Sequence, residues 1–230
     1  IGLVGSEMCI RDSRYSCYRY ITTETANSMG PAWIDPRSGE IIQADVLFYH
    51  NVIKLLHNWQ FVQLAQVDPK VRAKVFDEET MGRALRYVAA HEIGHTLGLM
   101  HNMGASYAYP VDSLRSPEFT QKYGTTPSIM DYARFNYVAQ PEDHVPYVSP
   151  HIGPYDRFAI EWGYRWYPDE ETEKRQLRAL LDSHTEKIYK YGEEQSPREA
   201  VDPRSLSEDL GDNAMKSAGY GIENLKRIVP

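Results

Sequence analysis

His91-Glu92-Ile93-Gly94-His95-Thr96-Leu97-Gly98-Leu99-Met100-His101 decides how the rest of the chain is read. It contains H-E-x-x-H, extended to H-E-x-x-H-x-x-G-x-x-H. Residues four apart on a helix share a face about one turn apart, so His91 and His95 can grip one metal ion. Glu92 projects beside them, placed to take a proton from a metal-bound water. Gly98 can adopt a left-handed conformation, which ends the helix and swings the chain back to deliver His101 as a third ligand. Three histidines with an open fourth position describe a catalytic zinc site, because structural sites are usually closed by four protein ligands. A helix with merely solvated histidines would have to place five fixed residues by coincidence, in a chain with only 8 His and 15 Gly.

Downstream lies Ser128-Ile129-Met130-Asp131-Tyr132, with 29 positions from His101 to Met130. In this order the two stretches resemble the zinc motif and Met-turn of the metzincin zinc endopeptidases. The resemblance implies an α+β fold: a metzincin-like zincin catalytic domain with a twisted mixed sheet and two long helices, then a Met-turn and a helical C-terminal part. It implies one catalytic Zn2+ on His91, His95 and His101, with Met130 as a hydrophobic floor beneath them and not a ligand. Tyr132 matches the tyrosine that, in some members, coordinates zinc at rest or hydrogen-bonds the oxyanion; a purely packing tyrosine is the alternative. Ala133 to Asp143 would line the primary specificity pocket. A calcium requirement is left open.

Gly30 to Gln66, Met81 to His101 and His151 to Tyr167 also resemble an uncharacterised family of bacterial zinc-dependent metzincin-like proteins, which are large, exported and carry extra domains of unknown function. That resemblance implies export, whether periplasmic, outer-membrane-associated or secreted, and a catalytic domain that is N-terminally truncated here.

Composition is compatible with this. Hydrophobic content of 42% with 17 Tyr and 4 Trp is enough for a core. The net charge of −7 argues against a general nucleic-acid or anionic-membrane partner. No apolar run is long enough for a transmembrane helix. Residues 1–13, with Met8-Cys9-Ile10-Arg11-Asp12-Ser13, read as a non-native segment translated from a sequencing adapter and are excluded from fold reasoning. Cys17 is then the one native cysteine, which gives no disulfide framework. Residues 14–167 are assigned to the catalytic domain and 168–230 to a helical C-terminal extension, itself truncated.

Tyr15 to Thr23 reads as a strand, and Glu40 to Tyr49 as a second whose Ile42, Ala44, Val46 and Phe48 share a face. That second strand resembles the sheet-edge region to which a substrate peptide adds, although an ordinary sheet strand reads equally well. Gly30-Pro31 and Asp35 to Gly39 are turn signals. Asn51 is a fair N-cap for a helix from Val52 to about Gln66. The active-site helix should run from about Glu79 to Leu97, with Asp77, Glu78 and Glu79 at the dipole's positive end. Met81, Ala84, Leu85 and Val88 are spaced to pack it onto the sheet. After His101 the chain is irregular, apart from a short helix at Ser116 to Lys122. Pro154 opens a helix that Gly163 terminates. An amphipathic helix follows Pro168 with a stripe at Leu177, Leu180, Leu181, His184, Ile188 and Tyr191. Glu193 to Pro203 reads as a linker or exposed loop, and Leu210, Ala214, Ala218, Leu225 and Ile228 as the stripe of a last helix. His50, His57, His144, His151 and His184 lack ligand spacing and read as packing or surface histidines.

The chemistry expected is peptide-bond hydrolysis in a protein or peptide substrate, with Glu92 as general base and zinc, aided by Tyr132, stabilising the oxyanion. Two alternatives stay open: a non-catalytic zinc-stabilised binding or envelope-assembly module of a larger exported protein, and zinc hydrolysis of a non-peptide amide.

Overall fold

The computed structural model describes residues 15–146, 149–196, 198 and 201–229. The adapter-like segment 1–13, Cys9 within it, and Pro197 lie outside the described residues.

Two short sheets precede two long helices. Strands β1 (Tyr18–Ile21), β2 (Ser28–Met29), β3 (Ala32–Ile34), β4 (Ile41–Ala44) and β5 (Val46–Tyr49) are followed by helices α1 (Val52–Leu64) and α2 (Glu78–Thr96). The first sheet has order β1-β5-β2, with β1 parallel and β2 antiparallel to β5. The second is the antiparallel pair β3-β4. This mixed α and β architecture is the α+β class expected.

Glu40 to Tyr49 is not one strand but two, and the break is Asp45. Its carboxylate accepts the Cys17 N–H at 2.8 Å and Arg19 Nε at 2.8 Å, while its own N–H donates to Pro31 O at 3.0 Å. Residues before it pair with β3 and residues after it with β1 and β2. The alternation fails with it: Ala44, Val46 and Phe48 are buried, but Ile42 is 62% exposed.

The candidate substrate rail changes too. β5 is the central strand with partners on both edges, so its backbone groups have no room for an added peptide. Among the described residues β1 and β2 each pair with β5 alone, and β2 is an edge strand that, like β5, lies against α2.

Helix α1 begins where expected, but Asn51 does not cap it; its side-chain amide donates to Glu24 O at 2.8 Å instead. Asp77 does cap α2, accepting from the Thr80 N–H at 2.7 Å. Phe48, Val52, Leu56, Leu64, Ala84 and Tyr87 form one buried cluster that extends to Met130 and Phe135. Each such side chain contributes roughly 1.5–3 kcal/mol by burial, so α2 is fixed before any metal is considered.

Helix α3 (Pro117–Tyr123) is capped by Ser116, and α4 (Pro154–Tyr164) runs through Gly163, which therefore does not end it. Helix α5 (Glu170–Ser183) stops at His184, so the apolar stripe read to Tyr191 is not one helix face. Instead His184 stacks on Phe158 at 5.0 Å. In α6 (Ala214–Ile228) the buried positions are Ser217 and Asn224, while Ala218 and Leu225 face solvent. Asn224 Nδ2 donates to Tyr137 O and Ala139 O, both at 2.9 Å, so α6 docks by hydrogen bonds as well as by Ile228 and Tyr220, which pack against the apolar clusters. A second buried cluster, Tyr109, Val111, Leu114, Ala133, Val138 and Leu210, ties the irregular region to this C-terminal part.

Candidate metal centre

His91, His95 and His101 come together, with one ligand nitrogen from each lying within 4.8 Å of the others. Helix α2 supplies the first two from adjacent turns. It closes as expected: Gly98 has φ +83°, and the Leu99 N–H returns to Gly94 O at 3.0 Å. The left-handed glycine turns the chain back so that His101 Nε2 lies 3.1 Å from His95 Nε2. Ligand nitrogens of a tetrahedral zinc site, about 2.1 Å from the ion, sit about 3.4 Å apart, so the spacing fits.

The far side of each ring is tied down. Nδ1–H of His91 donates to Ile129 O at 2.8 Å, and that of His95 to Leu99 O at 2.9 Å. Nδ1–H of His101 donates to Glu194 Oε2 at 2.6 Å. With Nδ1 carrying the proton, Nε2 of a neutral imidazole holds the free lone pair. Burial, the largest influence, pushes His91 down to about 3 and His95 below the ordinary imidazole value. Neutral rings with Nε2 facing inward are the form that binds a metal.

Ile129 belongs to the Met-turn, whose geometry is set by Asp156. That buried carboxylate accepts Ser128 Oγ–H at 2.7 Å and the Ile129 N–H at 2.8 Å. It also accepts the Gly153 N–H at 2.7 Å. Met130 is fully buried, and its N–H and C=O are held by Ser128 Oγ and Asn102 N. Its sulfur lies under Gly94, one residue before His95, in the position of a floor.

Glu92 is buried and lines a cleft of about 90 Å3 together with Ser28, Trp59, His91, Tyr132 and Arg134. Burial lifts its carboxyl to about 7, against the pull of the Ser28 hydroxyl. The half-buried Tyr132 ring lies 4.6 Å from that of His101 and 5.5 Å from that of His91. Arg134 backs it: its guanidinium sits 4.1 Å over Tyr132 and 4.2 Å over Trp59, and pairs with Glu208 at 2.6 Å. From Ala133 to Asp143, Arg134 lines this cleft, while Ala133, Val138 and Ala139 are buried.

The Met-zincin family model matches residues 73–230, more than half of the chain. The chain belongs to the Met-zincin family. The matched stretch starts just before α2 and runs through the Met-turn to α6, so it spans the three histidines, Glu92, Met130, Tyr132 and Glu194. Neither the curated proteins nor the solved structures gave a match. A Met-zincin implies zinc, and the three inward-facing Nε2 donors with their outer partners fit that ion.

The remaining histidines stay outside the cluster. His57 stacks on Phe76 at 4.1 Å, and His50 bonds the Tyr20 hydroxyl. Cys17 is a half-buried free thiol whose N–H serves Asp45. Three residues of the centre escaped the sequence reading, Ser28, Asp156 and Glu194, whereas Arg134 falls in the stretch expected to line the specificity pocket. Asp156 had a usable signal, an acid two residues after a helix-opening proline, where it can bond the backbone ahead of the helix. Glu194 had none, being one of two adjacent glutamates in a charged stretch.

Proposed function

We propose that this Met-zincin is a zinc-dependent endopeptidase with Glu92 as general base. One observation carries the reading: Glu92, His91 and Tyr132 line the same cleft, beside the three-histidine cluster. Zinc held there supplies Lewis acidity, which polarises a carbonyl and acidifies water. Glu92, buried in that cleft beside His91, is placed both to accept the proton of the attacking water and to return it to the leaving amine. Burial also raises the Tyr132 phenol, so it stays protonated and can donate a hydrogen bond to the developing oxyanion. No serine, cysteine or lysine nucleophile is needed, so no covalent intermediate forms.

The substrate is a protein or peptide, which rests on the metzincin resemblance, and the enzyme works outside the cytoplasm, which rests on the resemblance to the exported bacterial metzincin-like proteins. The test is peptide-library cleavage by the zinc-loaded chain and by Glu92→Ala, with products read by mass spectrometry. Loss of cleavage in Glu92→Ala is expected. Equal cleavage by the two proteins would remove Glu92 as the base.

A further inference from the structure

His101 is the ligand that α2 does not carry, so its ring must be oriented by something outside the helix. His91 and His95 each donate Nδ1–H to a backbone carbonyl, whereas His101 donates to the carboxylate of Glu194, 93 residues later. We infer that Glu194 is a positioning residue of the metal centre, so that metal affinity depends on the C-terminal segment that carries it. The inference rests on the reading of the three histidines as metal ligands.

The segment is fastened at the residues that flank the ligand. Asn102, fully buried next to His101, donates through Nδ2 to Lys190 O at 3.1 Å and accepts the Gly192 N–H at 2.9 Å. The Gly104 N–H reaches Gly192 O at 3.2 Å. The two glycines cross so closely that a Cβ on Gly104 would lie 2.9 Å from Gly192 Cα. Beyond the crossing, Ser205 Oγ–H donates to Glu193 O at 2.8 Å. Residues 190–193 and 101–104 are thus held as one unit, and Glu194 emerges from it at Nδ1 of His101.

A carboxylate there does two things that a solvent molecule does not. It fixes the tautomer that leaves Nε2 free, and its charge makes that nitrogen a stronger donor to a cation. Glu194 is half exposed, so the pair alone adds little to folding; its effect is exerted through the metal.

The experiment measures Zn2+ affinity of the full chain by competition with a chromophoric chelator, in the parent, Glu194→Ala, Glu194→Gln and Glu193→Ala. Glu194→Ala is expected to bind zinc about 10- to 100-fold more weakly. Glu194→Gln should recover part of that loss, since its amide oxygen can accept the same Nδ1–H. Glu193→Ala should match the parent, because it is the Glu193 carbonyl, kept in the variant, that fastens the segment to Ser205. Absorption spectra at saturating Co2+ should be the same for parent and Glu194→Ala, as the ligand set is unchanged. Parent-like zinc affinity in Glu194→Ala would overturn the inference. A changed Co2+ spectrum would also overturn it, by making Glu194 a direct ligand. Should Glu194→Ala not fold, parent against Glu194→Gln decides: equal affinity and an altered Co2+ spectrum in the glutamine variant count against the role. A parent that takes up no zinc, or whose uptake survives His91→Ala, would instead remove the three-histidine reading beneath it.

Discussion

Met130 and Gly94 are fitted to one another: a Cβ built on Gly94 would lie 2.3 Å from Met130 Sδ. The contact joins the Met-turn to the helix carrying two of the three histidines, and it makes glycine a requirement of packing at a site where backbone conformation does not demand it. Gly94→Ala is therefore expected to cost about 1–3 kcal/mol by overpacking a fully buried side chain. Met130→Ala should cost about 2–5 kcal/mol by leaving a cavity. In the double variant the added methyl occupies the space left by the sulfur, so the combined loss should fall short of the sum. Denaturant unfolding of the four proteins checks this, and strict additivity would mean that the two residues do not share the space.

Asp156 should matter more than its distance from the histidines suggests. Replacing it with Ala strips the Ile129 and Gly153 N–H groups and the Ser128 hydroxyl of their acceptor inside the protein. At about 1–3 kcal/mol per orphaned buried group, the loss should exceed about 3 kcal/mol. Because Ile129 O holds the His91 ring, zinc affinity should fall as well. Asp156→Asn keeps one acceptor oxygen and should be milder in both measurements. Wild-type stability in Asp156→Ala would show that the Met-turn holds its shape without this carboxylate.

What was legible in the sequence and what was not divides along chain separation. His91, His95, Gly98 and His101 could be read because a helix and one left-handed turn are local objects, fixed by spacing alone. Met130 and Tyr132 were legible only through resemblance, since nothing in the spacing says that a turn 29 residues later folds beneath the helix. Glu194 and Asp156 act across 93 and 27 or more residues and belong to residue types that usually face water. Asp45 misled the strand reading for a related reason: alternation identifies a strand but cannot show that one carboxylate caps β1 and hands the ladder from one sheet to another. In α6 the rule that buried means apolar failed, because Ser217 and Asn224 are buried to meet backbone carbonyls.

Asp131 sets a pH dependence. It is fully buried, accepts the hydroxyls of Ser106 and Thr126 on Oδ2, and has no hydrogen-bond partner for Oδ1 among the described residues. Burial, reinforced by the negative charge of Asp209, pushes it up to about 8 from an ordinary 3.8. With its folded-state pKa above the unfolded one, the folded protein binds more protons over that interval. Stability from this group is therefore fully present below about pH 4 and is lost as pH rises towards 8. Asp209, pushed up to about 7 by burial, acts in the same direction. Asp131→Asn presents the same acceptor oxygen without the charge, so its melting temperature should decline less between pH 5 and pH 8 than the parent's. Identical slopes would show that Asp131 does not ionise differently on unfolding.

Metal removal gives the last expectation. The three imidazoles meet only in the folded chain, so zinc binds the native state far better than the unfolded one and stabilises it by mass action. At free zinc 100-fold above its dissociation constant the gain is about 2.7 kcal/mol, and a chelator should lower the melting temperature accordingly. His95→Ala removes a ligand that bridges α2 and the returning loop, through His101 on one side and Leu99 O on the other. The variant should melt at the same temperature with and without zinc. Calorimetry across a zinc series decides the matter: if His95→Ala keeps the parent's full zinc-dependent shift, the ion binds elsewhere on the chain.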